Sequence, residues 1–274
     1  MVCVPHSVFT KYFEIGGRAL NVFHTGRSTL PGVPPDLGLG KCLVFLHGAG
    51  SNGSIWHRQI RHFSKRRSPL AFDFPGHGRS SGTEGLSTIA AHSEVTLELL
   101  DRLSVRRAVL VGTSMGGLVA IDLALRDPER VEALVLLSCA ARVRIPPKLI
   151  ETWRQVTAGR ISQPFTPDGY GDGVPIEILR EGWEEQTRTD PRVRHSDLLA
   201  VDGVDYRSRL VEIRMPALIV SGTKDPLVPP AVGAALAAGI PRARRVEIEG
   251  AGHFLYREAP DALHAAIDSF LDSL

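Results

Sequence analysis

The chain has 274 residues, 43% hydrophobic and 23% charged, with a mean hydropathy close to zero. That size and balance suit one large α/β domain with an insertion, or two small domains. A formal net charge of +2, with arginines scattered among acids, offers no electrostatic footprint for nucleic acid or an anionic membrane surface. The three cysteines, Cys3, Cys42 and Cys139, fit neither a zinc spacing nor a disulfide framework. The expectation is therefore a cytoplasmic protein without a metal. Cys42 and Cys139 lie in or beside apolar runs, where a thiol acts as a small hydrophobe.

Along the chain, residues 1–6 lack the basic start and apolar core of a secretory signal. Val8 to Glu14 and Ala19 to Phe23 are strand-like, and Gly16-Gly17 between them signals a hairpin. Residues 26–41 are rich in Gly and Pro without a period, as in a surface loop. Leu43 to Leu46 is a continuous apolar run, the pattern of a strand covered on both faces. Asn52 and Ser54 are candidate caps for the helix that follows.

Leu70 to Phe72 is the next strand, ending in the turn Asp73-Phe74-Pro75-Gly76-His77-Gly78. Ser87 to Leu103 has helical spacing, Ala108 to Val111 is a strand, and Met115 to Arg126 is a helix stopped by Asp127-Pro128. The nearly uncharged stretch from Arg107 to Leu125 has the length of a membrane span. Its glycines at 112, 116 and 117 mark it instead as a buried strand running into a buried helix. Val131 to Leu137 is another strand. After a different middle section come a strand at Ala217 to Val220, a helix at Ala231 to Ala238, a strand at Arg245 to Glu249 and a closing helix at Pro260 to Leu274. Such alternation builds a mostly parallel sheet with helices on both faces.

The middle section, 142–214, does not alternate; it has Trp153, Phe165, Tyr170 and Trp183 among prolines and charges of both signs. It reads as short helices inserted over the end of the sheet. The expected division is core 1–141, inserted cap 142–214, and core 215–274.

The strongest motif is Gly112-Thr113-Ser114-Met115-Gly116, a G-x-S-x-G pattern between a strand and a helix. The chain must reverse sharply there, and side chains two residues before and after the serine would collide, so glycine takes both places. The hydroxyl then projects above the sheet, at a helix N-terminus that favours developing negative charge. A passive serine in a Gly-rich turn is the competing reading, weakened by the strand and helix on either side.

A serine hydroxyl needs a base. His253 lies in Gly250-Ala251-Gly252-His253-Phe254, a loop of small residues just after the last strand, although a surface-loop histidine fits there too. A third group must fix the imidazole. Asp225 follows the strand ending at Val220, and a plain turn aspartate before Pro226 reads the same way. The strand at Val131 to Leu137 leads into Ser138 rather than an acid, which favours Asp225. All three residues follow strands and belong on one edge of the sheet, where ligands bind in open α/β folds. The oxyanion donors expected are the backbone N–H groups of Met115 and of Ala49, in the loop His47-Gly48-Ala49-Gly50. His47 is read as a brace of that loop.

On these motifs the chain resembles the α/β-hydrolase superfamily, in its serine-nucleophile, capped, carboxylesterase-like branch, over nearly all its length. The order nucleophile, acid, histidine is met by Ser114, Asp225 and His253. The early His-Gly loop is met by His47-Gly48, and the Asp-x-x-Gly-x-Gly-x-Ser turn by Asp73, Gly76, Gly78 and Ser80. The resemblance implies an eight-stranded, mostly parallel sheet with a helical cap inserted after the sixth strand. It also implies structural roles for the Asp73–Ser80 turn, with His77 and Arg79 as scaffold. Serine at the elbow argues against dehalogenases and epoxide hydrolases, which use aspartate there.

What remains includes carboxylesterases, thioesterases, carbon–carbon bond hydrolases, lactonases and perhydrolases, and fold alone does not choose among them. The expectation is a hydrolase of small or medium carboxylic esters or thioesters acting through an acyl-enzyme. The alternatives are a carbon–carbon hydrolase of a diketone-like compound and a small-molecule receptor with little turnover. Gly50, Leu227, Phe254 and Trp183 are candidate substrate-lining residues, with Trp153 and Phe165 equally fitting a small core of the cap. The cap balances acids against arginines, which gives no support for an acidic carrier-protein partner. No dinucleotide fingerprint is present, so no cofactor is expected; the partner expected is a small molecule, and the oligomeric state stays open.

Overall fold

The computed structural model describes residues 8–27, 30–165 and 167–274, so Cys3 and the N-terminal reading of residues 1–6 lie outside it. The strands are β1 (Phe9–Ile15), β2 (Arg18–His24), β3 (Cys42–Leu46), β4 (Ser68–Phe72), β5 (Ala108–Thr113), β6 (Val131–Leu137), β7 (Ala217–Gly222) and β8 (Ala243–Ile248). They form one eight-stranded sheet in the order β1-β2-β4-β3-β5-β6-β7-β8. β1 and β2 make the expected hairpin, with Gly16 and Gly17 at φ +53° and +73°. β2 pairs antiparallel with β4, and every later pairing is parallel.

The helices of the core are α1 (His57–Phe63), α2 (Ile89–Arg102) and α3 (Met115–Arg126) before β6. Between β6 and β7 come α4 (Pro147–Thr157), α5 (Ile176–Gln186) and α6 (Pro191–Val201), and after β7 come α7 (Pro230–Gly239), α8 (Leu255–Glu258) and α9 (Pro260–Leu271). β3, β4, β5 and β7 are buried along their whole length, because helices cover both faces. Alternate residues feed opposite cores. Val44, Leu46, Leu110, Leu134 and Leu136 pack with α2 and α3, while Leu43, Phe45, Val109, Val111 and Val135 pack with α1 and α9.

Element ends differ from the sequence reading where capping decides. α2 starts at Ile89, because Thr88 takes the cap position and its Oγ1 accepts the Ala91 N–H at 3.1 Å. Asn52 caps a short 3-10 turn, Gly53–Trp56, ahead of α1. α9 ends at Leu271, and α8, a single turn after His253, was not expected.

A helical cap is inserted after β6. Its neck is pinched: Arg142 and Asp205 form an isolated bridge, Tyr206 N donates to Ala141 O, and Val143 and Gly203–Val204 exchange backbone bonds. The chain therefore leaves and re-enters the core at one place. Inside the cap, Trp153, Val156 and Leu198 bury one another between α4 and α6. No helix among the described residues is long and apolar enough to cross a membrane.

Candidate active site

Ser114 sits at the β5–α3 elbow with φ +52° and ψ −115°, a conformation that non-glycine residues adopt only under constraint. The constraints are visible. Its N–H donates to Leu137 O at 3.0 Å, and its carbonyl accepts from Gly117 and Leu118. A Cβ on Gly112 would lie 2.2 Å from Gly116 O, and one on Gly116 would lie 2.2 Å from Leu46 O. Only glycine at both places lets β5 turn into α3 this tightly.

Beyond β7 and β8 lie the other two residues. His253 Nδ1 and Asp225 Oδ2 are 2.9 Å apart and buried. Asp225 Oδ1 accepts the N–H groups of Leu227 and Val228 at 2.9 and 2.8 Å. Burial works against ionisation of Asp225. The His253 hydrogen bond and charge, then the Val228 amide, outweigh it and hold the carboxyl below its usual range. With Nδ1 committed to Asp225, His253 Nε2 is left for chemistry. The third contact is not closed: among the described residues neither Ser114 Oγ nor Nε2 has a hydrogen-bond partner. Such contacts often tighten only with substrate.

The histidine loop is held from two sides. His253 N donates to Gly169 O at 2.7 Å. Glu258 accepts from Gly171, Gly252 and Phe254, tying the loop to the cap segment. A Cβ on Gly252 would lie 2.5 Å from Gly171 N, so that approach requires glycine.

On the other side of Ser114, Gly48 comes within van der Waals reach of the serine Cβ, 3.5 Å from where its own Cβ would stand. His47 Nε2 accepts the Phe74 N–H at 3.1 Å, so Nδ1 carries the proton and donates to Gly48 O at 2.9 Å. Complete burial, then the neighbouring His77, hold its pKa well below the ordinary value. His47 is thus a neutral brace. Among the described residues, the N–H groups of Ala49 and Met115 find no acceptor within the chain, although Met115 is buried. Asp73 accepts from Gly53 N, Asn21 Nδ2 and Arg79 N, which fixes the turn beside this loop.

The four residues expected to line a substrate pocket have distinct surroundings. Phe254 lies edge-on to His253 at 5.4 Å and tilts over Tyr170. Leu227 is exposed, its Cδ1 toward Gly169. Trp183 is 37% exposed and lies edge-on to Phe165, within the cap. Gly50 is buried under the Arg194 side chain, whose Cβ, Cγ and Cδ would all lie within 2.9 Å of a Cβ placed there. Trp153 is in the cap's own core.

Three polar residues that the sequence did not single out hold the site together. Besides Glu258 they are Arg194 and Asp197, one turn apart on α6. Asp197 Oδ2 accepts the Gly50 N–H at 2.7 Å and faces His77 Nε2 at 2.8 Å, all of it buried. The i, i+3 spacing was present in the sequence, but nothing there said which face would meet the loop. A groove of about 360 Å³, lined by Pro216, Arg242 and Arg244, lies at the N-terminal ends of β7 and β8, opposite the edge that bears Ser114.

The chain is similar to known proteins over most of its length. It is 30% identical over 252 residues to the pimeloyl-[acyl-carrier protein] methyl ester esterase of Aeromonas hydrophila, covering 85% of this chain and 96% of that protein. It is 27% identical over 237 residues to 3-oxoadipate enol-lactonase 2 of Acinetobacter baylyi, covering 84% and 88%. Its fold matches the enol-lactonase of Burkholderia xenovorans with a TM-score of 0.79 at 28% identity, over 95% and 99% of the two chains. The alpha/beta hydrolase family model matches residues 43–266. The chain belongs to the alpha/beta hydrolase family.

Proposed function

We propose that the protein is a serine hydrolase of small or medium carboxylic esters or lactones, working through an acyl-enzyme on Ser114. The observation that carries this is the buried His253–Asp225 pair at 2.9 Å, which leaves Nε2 uncommitted, at the same edge of the sheet as the strained serine elbow. In this reading Ser114 Oγ attacks the substrate carbonyl carbon and its proton passes to His253 Nε2. The negative oxygen of the tetrahedral intermediate accepts from the Ala49 and Met115 amides, each worth about 3 kcal/mol to the transition state. His253 then protonates the leaving oxygen, the C–O bond breaks, and water releases the acyl group by the same steps.

The relatives' activities support the class of bond: a methyl ester esterase and enol-lactonases are both ester hydrolases. Two uncommitted N–H groups beside the serine support turnover over passive binding, since a buried N–H without an acceptor is costly in a site that does no chemistry. The test is hydrolysis of p-nitrophenyl esters of graded acyl length by the wild type and Ser114→Ala. Many turnovers per molecule, lost in the variant while the circular dichroism spectrum persists, are expected. Retention of most activity by Ser114→Ala would remove the assignment.

A further inference from the structure

Arg194 stands out as a cation without a partner. Its Cζ lies 4.7 Å above the Trp153 ring, and its aliphatic stem crosses Gly50. Nε is buried with no acceptor, and among the described residues the guanidinium makes no hydrogen bond or ion pair. The residue is only half-buried, so the Nη nitrogens reach accessible space.

The acids around it already face other cations, although Asp197 Oδ1 itself has no hydrogen-bond partner. Asp197 is occupied by Gly50 N–H and by His77, whose other nitrogen faces Pro75 O at 3.0 Å. A carboxylate on one side and a carbonyl on the other make both His77 nitrogens donors, so His77 is the cation that answers Asp197. Glu185 binds Ser51 through one oxygen and Arg257 Nη2 at 3.0 Å through the other. Arg257 also donates to Tyr170. Glu181 is paired bidentately with Arg58, at 2.8 and 3.0 Å. Each nearby acid thus has its own cation, and Arg194 is left over.

Its place relates it to the chemistry. Gly50 follows Ala49 directly, and Gly48, two residues before it, packs on Ser114. Two residues of backbone span at most about 7 Å. The Arg194 stem thus lies on the loop that reaches Ser114, and a guanidinium held on an aromatic face is suited to a planar anion.

We propose that Arg194 binds a carboxylate of the substrate, so that the preferred esters or lactones bear a free carboxylate on the acyl side or the alcohol side. This rests on the serine-hydrolase reading above and narrows it to a substrate class. A single uncompensated cation favours a singly charged carboxylate over a dianionic phosphate. Asp197 and Gly50 serve the binding geometry by fixing the helix face from which Arg194 projects.

The test compares two p-nitrophenyl esters of equal chain length, the neutral hexanoate and the monoester of adipic acid, with wild type, Arg194→Gln and Arg194→Lys. The readout is the ratio of kcat/KM for the anionic ester to that for the neutral one. A charge-assisted hydrogen bond of about 1.5–3 kcal/mol corresponds to roughly 10- to 100-fold. The ratio is expected to fall by that factor in Arg194→Gln, mainly through KM, and by less in Arg194→Lys, which keeps the charge and loses the fork. An unchanged ratio, with both esters slowed in parallel, would show a structural role and overturn the proposal. If the wild type cleaves neither ester, the hydrolase reading has failed separately. Adipate binding by calorimetry then decides: binding that Arg194→Gln weakens supports the carboxylate site, and no binding by the wild type refutes it.

Discussion

Asp197 of the cap accepts the N–H of Gly50 in the loop beside Ser114, at 2.7 Å and out of contact with water. The same oxygen faces His77 Nε2 at 2.8 Å. One carboxylate therefore couples the cap, the loop that carries the Ala49 amide, and the Asp73–Ser80 turn. Losing it would leave an orphaned backbone N–H and a buried imidazolium.

Two substitutions separate these losses. Asp197→Ala removes both bonds and is expected to destabilise by about 3–5 kcal/mol, as for a buried pair stripped of one partner. Asp197→Asn keeps an acceptor for Gly50 N–H and loses only the charge toward His77, so its cost is expected to be smaller. Urea unfolding of the two variants checks the order. Equal midpoints would mean that the Gly50 bond contributes nothing beyond the charge.

The same pair gives a pH dependence with a definite sign. Burial alone would lower the His77 pKa; the charge and hydrogen bond of Asp197, with Pro75 O and Asp73, reverse that and raise it. A histidine that binds its proton more tightly when folded supplies stability that is complete below its unfolded pKa of about 6.5. That stability fades as pH rises through the higher folded value. The stability gap between wild type and His77→Gln is therefore expected to narrow from about pH 6.5 upward, by at most about 1.4 kcal/mol per pH unit. His92 and His47 face the same cluster with lowered pKa values, and their contributions change on the acid side instead. Denaturation series across this range, with both proteins, measure the gap; a constant gap would mean that His77 does not titrate with folding.

Much of this was legible in the chain, for identifiable reasons. A run such as Leu43–Leu46 has one physical solution, a strand covered on both faces, and β3 is that strand. Gly112 and Gly116, flanking Ser114, announce their turn because a Cβ at either would strike backbone. Ser114, Asp225 and His253 each follow a strand, so the parallel order of the sheet brings them to one edge. Arg194, Asp197 and Glu258 were not legible. A polar residue on a short helix in a mixed-charge section reads as a solvated face, and only the docking of α6 on Gly50 shows which face is buried. For the same reason the sequence does not reveal the Arg194 side chain that lies across Gly50.

Cys139 and Cys42 allow a check on core packing that is independent of the active site. Both are buried, and burial pushes their thiols up to about 12. Cys139 Sγ also stands 2.6 Å from where a Cβ on Gly117 would lie, so it fills the space behind the elbow. At pH 8 a thiol of that pKa is about one part in ten thousand thiolate. Iodoacetamide is expected to leave both unmodified in the native protein and to label both after denaturation, with positions read by peptide mass spectrometry. Fast labelling of Cys139 in the native state would mean that the α3 N-terminus opens.

Asp225→Asn isolates the role of the acid from its role in the loop. Asparagine can keep Oδ1 as the acceptor for the Leu227 and Val228 amides, so the turn after β7 is expected to hold and stability to change little. The amide that replaces Oδ2 is a donor toward His253 Nδ1, and that forces the proton onto Nε2, the nitrogen that accepts it from Ser114 in the proposed mechanism. A kcat loss of about 10⁴-fold with KM nearly unchanged is the expected result for such a wrong tautomer. Steady-state kinetics beside a thermal melt measure both quantities. A variant with normal stability and a kcat within tenfold of wild type would show that Asp225 does not orient His253, and the acid would have to be sought elsewhere on the sheet edge.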